Sequence, residues 1–581
     1  MIDFSPCLKA YSADQDKAVT PAQTLARVRE RLSGLSLSIL AETRRIDNGR
    51  LGIPVFLSVC GADARDIMPT RKQMGKGASP EQAEASALME LMERYGFFTY
   101  WEQARHEFAT WSEAERRFGA ALMPLEEIVA ACHDRLSNSD ARRVLDLRRW
   151  RFVPAWRIPQ KPGDAPARCV VPLDLFKQLG EFNGSSAGNT DVESVLQGAC
   201  ELVERHVCCI ADETTPELPT IDLRDCQDAT LRDLADRFRA NGIEVTLKDF
   251  SMGMPVPTVA ALAWDPATFP ARSEIVFTAG TAASPAKAAI RALTEVAQLA
   301  GDFNSGACYE ASGLPKYASL DQAAWLLKGP ACGLDDLPSV ASDDIRDELC
   351  ALAGGLDALG HPLYSVATTN PDTGVPTHYS FAPGLRFRER DKNASLGLFT
   401  GRLISEEADA DTARSALAAL ESVCPGAHFI PFFKGMAALR GGEAEEARAL
   451  FAESEPLQPG NEAKALPAFY HAYSHTLAGE WDEALPGLER AVAFCPDMKE
   501  YKNLLGVCLF KLGRHDEAGA QFLDIITRLD KGSAVDLQNL GLCRKFAGRK
   551  EEAAHYLAAA LGIDPGLEAA RKHLAELAES F

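Results

Sequence analysis

A chain of 581 residues is too long for one hydrophobic core, so two or more domains are expected. The 46% hydrophobic and 25% charged content suits a soluble globular protein, and the net charge of −21 argues against general nucleic-acid or anionic-membrane binding. No run of about 18 apolar residues predicts a transmembrane helix, Met1–Asp16 carries no apolar signal segment, and a cytoplasmic protein is expected.

The first 405 residues read as mixed α/β. Gly52-Ile53-Pro54 precedes a strand-like run, and Gly253-Met254-Pro255 and Gly374-Val375-Pro376 do the same further on. Proline suits a strand start because that residue need not donate to the ladder. Between these signals lie three loops rich in small residues, Gly75–Ser79, Asn183–Thr190 and Gly280–Pro285. Each suits a helix N-terminus, where backbone N–H groups can meet phosphate.

A predicted helix follows each loop, and each carries polar residues at i, i+4 and i+7. The trios are Ser86/Glu90/Glu93, Gln197/Glu201/Glu204 and Arg291/Glu295/Gln298. At about 3.6 residues per turn, each trio lies on one helix face. One such stripe is ordinarily a solvated face. The flanks argue otherwise: Leu88, Leu91 and Met92, then Leu202 and Val203, then Ile290, Leu293 and Val296 make the helices apolar around most of their circumference. Carboxylates on such helices face an interior cleft and need a partner or a metal. Converging, Glu90, Glu93, Glu201, Glu204 and Glu295 would repel unless cations lay between them. That combination points to magnesium and a nucleotide. Arg291 or Arg205 would neutralise phosphate charge, with Asn189 and Gln298 as neutral hydrogen-bonding groups.

Residues 406–425 are expected to form a linker helix. Beyond them, from 426 to 581, an internal repeat takes over. Gly442-Glu443-Ala444-Glu445-Glu446-Ala447 recurs in altered form from Gly479, Gly513 and Gly548, about 34 residues apart. A large apolar residue follows each final alanine by four positions: Phe451, Leu488, Phe522 and Leu557. Glycine ends one helix, acids start the next, and alanine lets the two approach closely. The pattern resembles the tetratricopeptide repeat, whose stacked helix pairs form an all-α solenoid suited to holding peptides or protein segments. Dimerisation is an alternative use of such a surface.

Several chemistries lack their motifs. There is no Gly-x-x-x-x-Gly-Lys-[Ser/Thr] phosphate loop and no protein-kinase signature. The fifteen cysteines show no Cys-x-x-Cys pair, and the eleven histidines show no His-Glu-x-x-His. Reduced, buried cysteines acting as small hydrophobes are expected.

Three segments, in order, carry a resemblance. They are Ser86-x-x-x-Glu90-x-x-Glu93-Arg94, then Ala187-Gly188-Asn189-Thr190 with Gln197-Gly198-x-x-Glu201-x-x-Glu204-Arg205, then Arg291-Ala292-Leu293-Thr294-Glu295-x-x-Gln298. Over roughly residues 40–400 the chain resembles the YcaO family. The resemblance implies a YcaO-like α/β domain at 1–405 that binds ATP and Mg2+ without a Walker loop. It implies metal ligation by Glu90, Glu93, Glu201, Glu204 and Glu295, and nucleotide contacts from Ser186, Asn189, Glu193, Arg205, Arg291 and Gln298. No catalytic residue is assigned. The activity it implies is activation of a peptide backbone amide: phosphorylation makes the amide oxygen, a poor leaving group, a good one.

Azoline-forming members end in a Pro-rich tail, whereas this sequence ends Leu574-Ala575-Glu576-Leu577-Ala578-Glu579-Ser580-Phe581. A non-cyclising outcome such as thioamide formation is therefore expected. A peptide or protein substrate would be recruited by the repeats, with a sulfur donor or a TfuA-like protein as partner. The alternative is an ATP-binding accessory or scaffold factor, for example for methylthiolation of a ribosomal protein.

Overall fold

The computed structural model describes residues 2–47, 49–103, 106–132, 136–299, 317–388, 394–530 and 532–578. They form two compact units. One comprises Met1–Arg142 and Arg149–Ser395; the other comprises Arg143–Arg148 and Leu396–Phe581.

The first unit uses one arrangement twice. Helix Pro21–Ser33 leads to antiparallel strands Leu40–Arg45, Val55–Cys60 and Lys72–Lys76, then to helix Pro80–Gln103. Helix Ala229–Ala240 leads in the same order to strands Glu244–Asp249, Thr258–Trp264 and Val276–Thr281, then to helix Pro285–Leu299. Gly75, Ser79, Pro80, Glu90 and Glu93 in the first copy stand where Gly280, Ser284, Pro285, Glu295 and Gln298 stand in the second. The second sheet adds Thr220–Asp222 beside Glu244–Asp249, and Ala331–Gly333 parallel to that strand. A third sheet is built on Trp150–Arg157, Tyr364–Ala367, Thr377–Phe381 and the short strand Ser185–Ala187, which feeds helix Asp191–Thr214.

Sequence and structure agree on how these elements begin. Pro54, Pro257 and Pro376 each sit just before a strand. Ser79 Oγ accepts from Gln82 N, and Thr190 accepts from Glu193 N, so both helices start on side-chain caps. The loop expected at Asn183–Thr190 instead contains strand Ser185–Ala187, paired with Thr377–Tyr379.

All three carboxylate helices are buried around most of their girth. Ala83, Ala87, Leu88, Leu91 and Met92, then Val195, Ala199, Leu202 and Val203, then Ile290, Leu293 and Val296 are all core residues. The first and third helices lie very close to their preceding strands. A Cβ on Gly75 would come within 2.0 Å of Ala87 N, and one on Gly280 within 2.5 Å of Ala292 N. A Cβ on Gly198, in the second helix, would meet Gly184 O at 2.7 Å.

The second unit is all-helical. After Leu396–Glu407 and Ala410–Val423 come the pairs Ile430–Arg440/Ala444–Leu457, Asn461–Leu477/Trp481–Phe494, Lys499–Lys511/His515–Asp524 and Ala534–Phe546/Lys550–Ile563, then Glu568–Ala578. Gly442, Gly479, Gly513 and Gly548 all have positive φ, between 75° and 82°, as helix-ending residues do. Ala447, Ala484, Ala518 and Ala553 are fully buried, as are Phe451, Leu488 and Leu557. The stretch 406–425, expected as a linker helix, differs: it takes in the end of one helix, a break, and a helix whose Ala413, Leu417 and Leu420 are buried. Its acidic residues are surface residues of a packed helix, which composition alone does not distinguish from a linker.

The glycine contacts give a stability test. Gly75→Ala forces a Cβ against backbone and should cost about 1–3 kcal/mol. Gly562→Ala, where nothing stands within 4 Å, should be neutral or slightly stabilising. Denaturant melts of both variants check this; an unchanged Gly75→Ala midpoint would contradict the close packing.

Candidate nucleotide and magnesium site

The three stripes converge. One cavity of about 260 Å³ is lined by Ser86, Glu90 and Glu93 from the first helix, Gln197, Glu201 and Glu204 from the second, and Arg291, Glu295 and Gln298 from the third. Asn189, Glu193 and Arg205 line it too. Ser186 does not. It is fully buried, with its Oγ 3.3 Å from Ser194 Oγ, while its neighbours Ser185 and Ala187 face the cavity. Strand alternation explains the correction: adjacent residues of Ser185–Ala187 point to opposite faces. Ser185 replaces Ser186 as the lining serine.

Cations stand among the carboxylates. Lys76, the last residue of its strand, donates to Glu295. Arg205 lies 3.8 Å from Glu201, and Arg94 lies 3.5 Å from Glu93 with its guanidinium over the Phe182 ring. Arg291 Nη1 donates to Gln197 Oε1 at 3.1 Å. Backbone amides contribute as well: Gly184 N donates to Glu201 at 3.2 Å, and Thr281 N to Glu204 at 2.9 Å.

The irregular N-terminal segment supplies a further wall that composition gave no sign of. Gln15 and Lys17 line the cavity, as does Thr24 from helix Pro21–Ser33. Ala18 N donates to Glu193 Oε2 at 2.9 Å, and Lys17 lies 3.5 Å from Glu193 Oε1. Asn189 Nδ2 donates to the same carboxylate at 3.0 Å, and Asn189 Oδ1 accepts from Thr24 Oγ1 at 2.9 Å. The segment is anchored on both sides, since Ala78 N donates to Asp14 and Lys287 Nζ to Ala13 O.

Crowding shows in the acidities. Burial pushes the Glu90 and Glu93 carboxyls up, against the pull of Arg94. Burial, with Glu295 nearby, raises Glu204 to about 7. Glu295 is buried as well, but Lys76 and Arg205 hold it below its ordinary value.

The donor set fits a polyphosphate with magnesium. Arg94 Nη1, Arg291 Nε and Ser185 Oγ are buried and have no hydrogen-bond partner among the described residues. Each such group costs about 1–3 kcal/mol unless a ligand satisfies it. No three His, Cys, Asp or Glu side chains among the described residues form a ready-made metal cage. Magnesium does not demand one, because it is commonly held by one or two carboxylates plus phosphate oxygens and water.

Fold and cavity define an α/β domain whose polar site is made by three helices rather than by a glycine-rich phosphate loop. Residues 74–386 match the profile described as "YcaO cyclodehydratase, ATP-ad Mg2+-binding". The chain belongs to the YcaO family, an ATP- and Mg2+-binding family. Residues 472–534 match the tetratricopeptide repeat. An uncharacterized protein of Methanothermobacter thermautotrophicus is 27% identical over 392 residues, covering 64% of this chain and 94% of that one. An uncharacterized protein in the tfuA 3' region of Rhizobium leguminosarum bv. trifolii is 28% identical over 298 residues, covering 49% of this chain and 66% of that one. Among solved structures, a heterocyclase in complex with substrate and cofactor shares the fold with a TM-score of 0.52 at 22% identity, over 66% of this chain and 55% of that one. The YcaO protein from Methanopyrus kandleri bound with AMPPCP and Mg2+ aligns with a TM-score of 0.49 at 20% identity, over 67% of this chain and 97% of that one. Among the described residues, no helix is long and apolar enough to cross a membrane.

The raised Glu204 carboxyl gives a pH test. The unfolded chain releases this proton near the ordinary 4.5, the folded protein near 7. Between those values the folded state holds more protons, so this group's contribution to stability falls as pH rises. Urea melts should therefore show Glu204→Gln losing less stability than the parent between about pH 5 and about pH 8. Parallel pH profiles would show that Glu204 is not the group responsible.

Proposed function

We propose that this protein is an ATP- and Mg2+-dependent enzyme that activates a backbone amide of a peptide or protein for modification, with thioamide formation as the outcome. The observation that carries the reading is the convergence of the three stripes' five carboxylates, with Glu193 beside them, and three unsatisfied buried donors in one cavity. Family membership and the relative from a tfuA region support it.

In this reading Glu90, Glu93, Glu201, Glu204 and Glu295 hold magnesium. Arg94, Arg291, Lys76 and Ser185 face the phosphates, and Asn189, Glu193, Arg205 and Gln298 complete the nucleotide's surroundings. Bound there, ATP supplies a phosphoryl group that makes an amide-derived oxygen a competent leaving group, with magnesium offsetting the charge. The chain's own contribution is preorganisation: its donors and carboxylates are held by strand ends and helix faces before any ligand arrives. The repeat unit recruits the peptide or protein substrate, and a TfuA-like or sulfur-donating protein is the expected partner.

Glu90→Ala and Glu201→Ala should each weaken magnesium-dependent ATP binding by about 2–5 kcal/mol, the usual result of removing one member of a buried charge pair. Calorimetry that finds ATP affinity unchanged in both would rule out the metal assignment.

A second reading, an accessory factor that binds ATP and presents its repeats to another enzyme, is favoured by the separate compactness of the helical unit. Deleting residues 396–581 distinguishes the two. Under the enzyme reading, ATP binding survives and turnover of the true substrate loses mainly through KM, as remote uniform binding predicts. An accessory factor would show no peptide-stimulated ATP turnover, with or without its repeats.

A further inference from the structure

Each copy of the duplicated arrangement pins its own carboxylate helix, the first to its strand at Gly75 and the third at Gly280. Pinning within a copy does not fix one copy against the other. Yet Glu90 and Glu93 of the first copy and Glu295 of the second line one cavity. The ion pair that joins the copies there, Lys76 with Glu295, rests on a long and flexible side chain.

A stiffer connection comes from the N-terminal segment. Tyr11 and Lys17 form an antiparallel bridge, with Lys17 N donating to Tyr11 O at 2.9 Å, so residues 11–17 make a closed loop. Two adjacent residues at its tip bind one copy each. Ala13 O accepts from Lys287 Nζ at 2.9 Å, in the first turn of the third helix. Asp14 Oδ2 accepts from Ala78 N at 2.8 Å, just before the first helix. The second helix is tied in as well. Cys7 Sγ lies 3.3 Å from Oγ1 of Thr190, the N-cap, and Ala18 N donates to Glu193 Oε2 at 2.9 Å. Residues 7–18 thus touch the starts of all three carboxylate helices.

Asp14 is the firmest of these ties. It is 1% exposed, and both of its oxygens are used, because Oδ1 accepts from Tyr11 Oη at 2.8 Å. Burial, with Asp14 beside it, pushes the Tyr11 hydroxyl up, so that group stays protonated and donates. Bonds to an ionised acceptor are the strong ones. Asp14 does not line the cavity, although its neighbour Gln15 and Lys17 do. A carboxylate before a helix is also favoured by the macrodipole, but that role would need neither Tyr11 nor the bond from Lys287 to Ala13. We propose that residues 11–17 are a spacer between the two copies, and that Asp14 is a positioning residue: it holds Glu90 and Glu93 against Glu295 at the spacing magnesium requires. This rests on the magnesium and nucleotide reading above and deepens it, placing control of the metal site in a residue that touches neither metal nor nucleotide. Magnesium demands near-ideal octahedral geometry, whereas calcium accepts more oxygens in a looser arrangement. Loosening the spacer should therefore cost magnesium more than calcium.

The test is calorimetry on the full chain, titrating ATP in Mg2+ and, separately, in Ca2+. Asp14→Ala should weaken ATP about 10-fold with Mg2+ and by less than about 3-fold with Ca2+, so that the preference for Mg2+ narrows. A general loss of stability, or of a contact to the nucleotide itself, would weaken both alike. Asp14→Asn drops the charge but keeps both bonds, its oxygen accepting from Ala78 N and its amide donating to Tyr11 Oη. It should hold the parent's preference. If Asp14→Ala unfolds, Tyr11→Phe carries the test: it frees Asp14 Oδ1 alone and should shift the preference the same way by a smaller factor. Equal losses with the two metals, or an unshifted preference in the variant that folds, would overturn the inference while leaving the nucleotide reading intact. So would an Asp14→Asn protein as impaired as Asp14→Ala, because charge at the helix start would then be the cause. Failure of ATP to bind the parent protein would overturn the nucleotide reading and this inference together.

Discussion

Holding several carboxylates around one recess is the constraint on which the rest of the first unit depends. Glu90, Glu93, Glu201, Glu204 and Glu295 all line a single cavity, and Glu204 is only 7% exposed. Both desolvation and mutual repulsion oppose that arrangement. The fold answers with fixed partners rather than mobile ones. Lys76 and the Thr281 amide come from strand ends, Arg205 from one helical turn after Glu201, Arg94 from the position next to Glu93, and the Gly184 amide from the residue just before a strand. The compensation is incomplete. Glu90, Glu93 and Glu204 are still raised, while Glu295, nearest the lysine, is lowered.

Close approach of helix and strand makes this fixity achievable. Gly75 and Gly280 lie at matched places in two copies of one arrangement, and each lets a carboxylate helix lie directly on the strand that precedes it. The duplication also explains the uneven division of charge. The first copy places Ser86, Glu90 and Glu93 where the second places Arg291, Glu295 and Gln298. One copy brings two carboxylates and the other an arginine, a carboxylate and an amide, so two similar scaffolds meet in one cavity with different charge.

Much of this was legible in the sequence because it is written in short periods. The i, i+4, i+7 stripes fix which residues share a helix face, and their apolar flanks fix that the face is interior. The repeats were legible for the same reason: glycine, acid and alanine recur at fixed steps, and positive φ at Gly442, Gly479, Gly513 and Gly548 is what that pattern requires. Where period failed, so did the reading. Ser185–Ala187 is three residues long, too short for alternation to show, so the sequence does not tell Ser185, which lines the cavity, from Ser186, the residue the family resemblance implies. The stretch 406–425 has the composition of a linker, but buried Leu417 and Leu420 make its second part a packed helix. Residues 2–20 have no period at all; their place over the cavity comes from isolated contacts such as Asp14 with Ala78 N and Lys17 with Glu193.

That aperiodic segment shows why a site can be only partly encoded in its motifs. Stripes on helices specify which charged residues share the cavity, because charge at regular spacing leaves a trace. An ion pair between distant segments needs just one residue on each, and leaves none. Glu348 looks like any acidic residue in the first turn of a helix, where the macrodipole already favours it. Only its complete burial, its pairing with Lys9 from the far N-terminus and its unpaired second oxygen separate it from a helix-start glutamate. Burial of this kind is a property of the assembled unit rather than of any one segment. The charged residues that line the cavity can therefore be read from local pattern, whereas the cluster of Lys9, Asp16 and Glu348, far apart along the chain, emerges only when the fold brings them together.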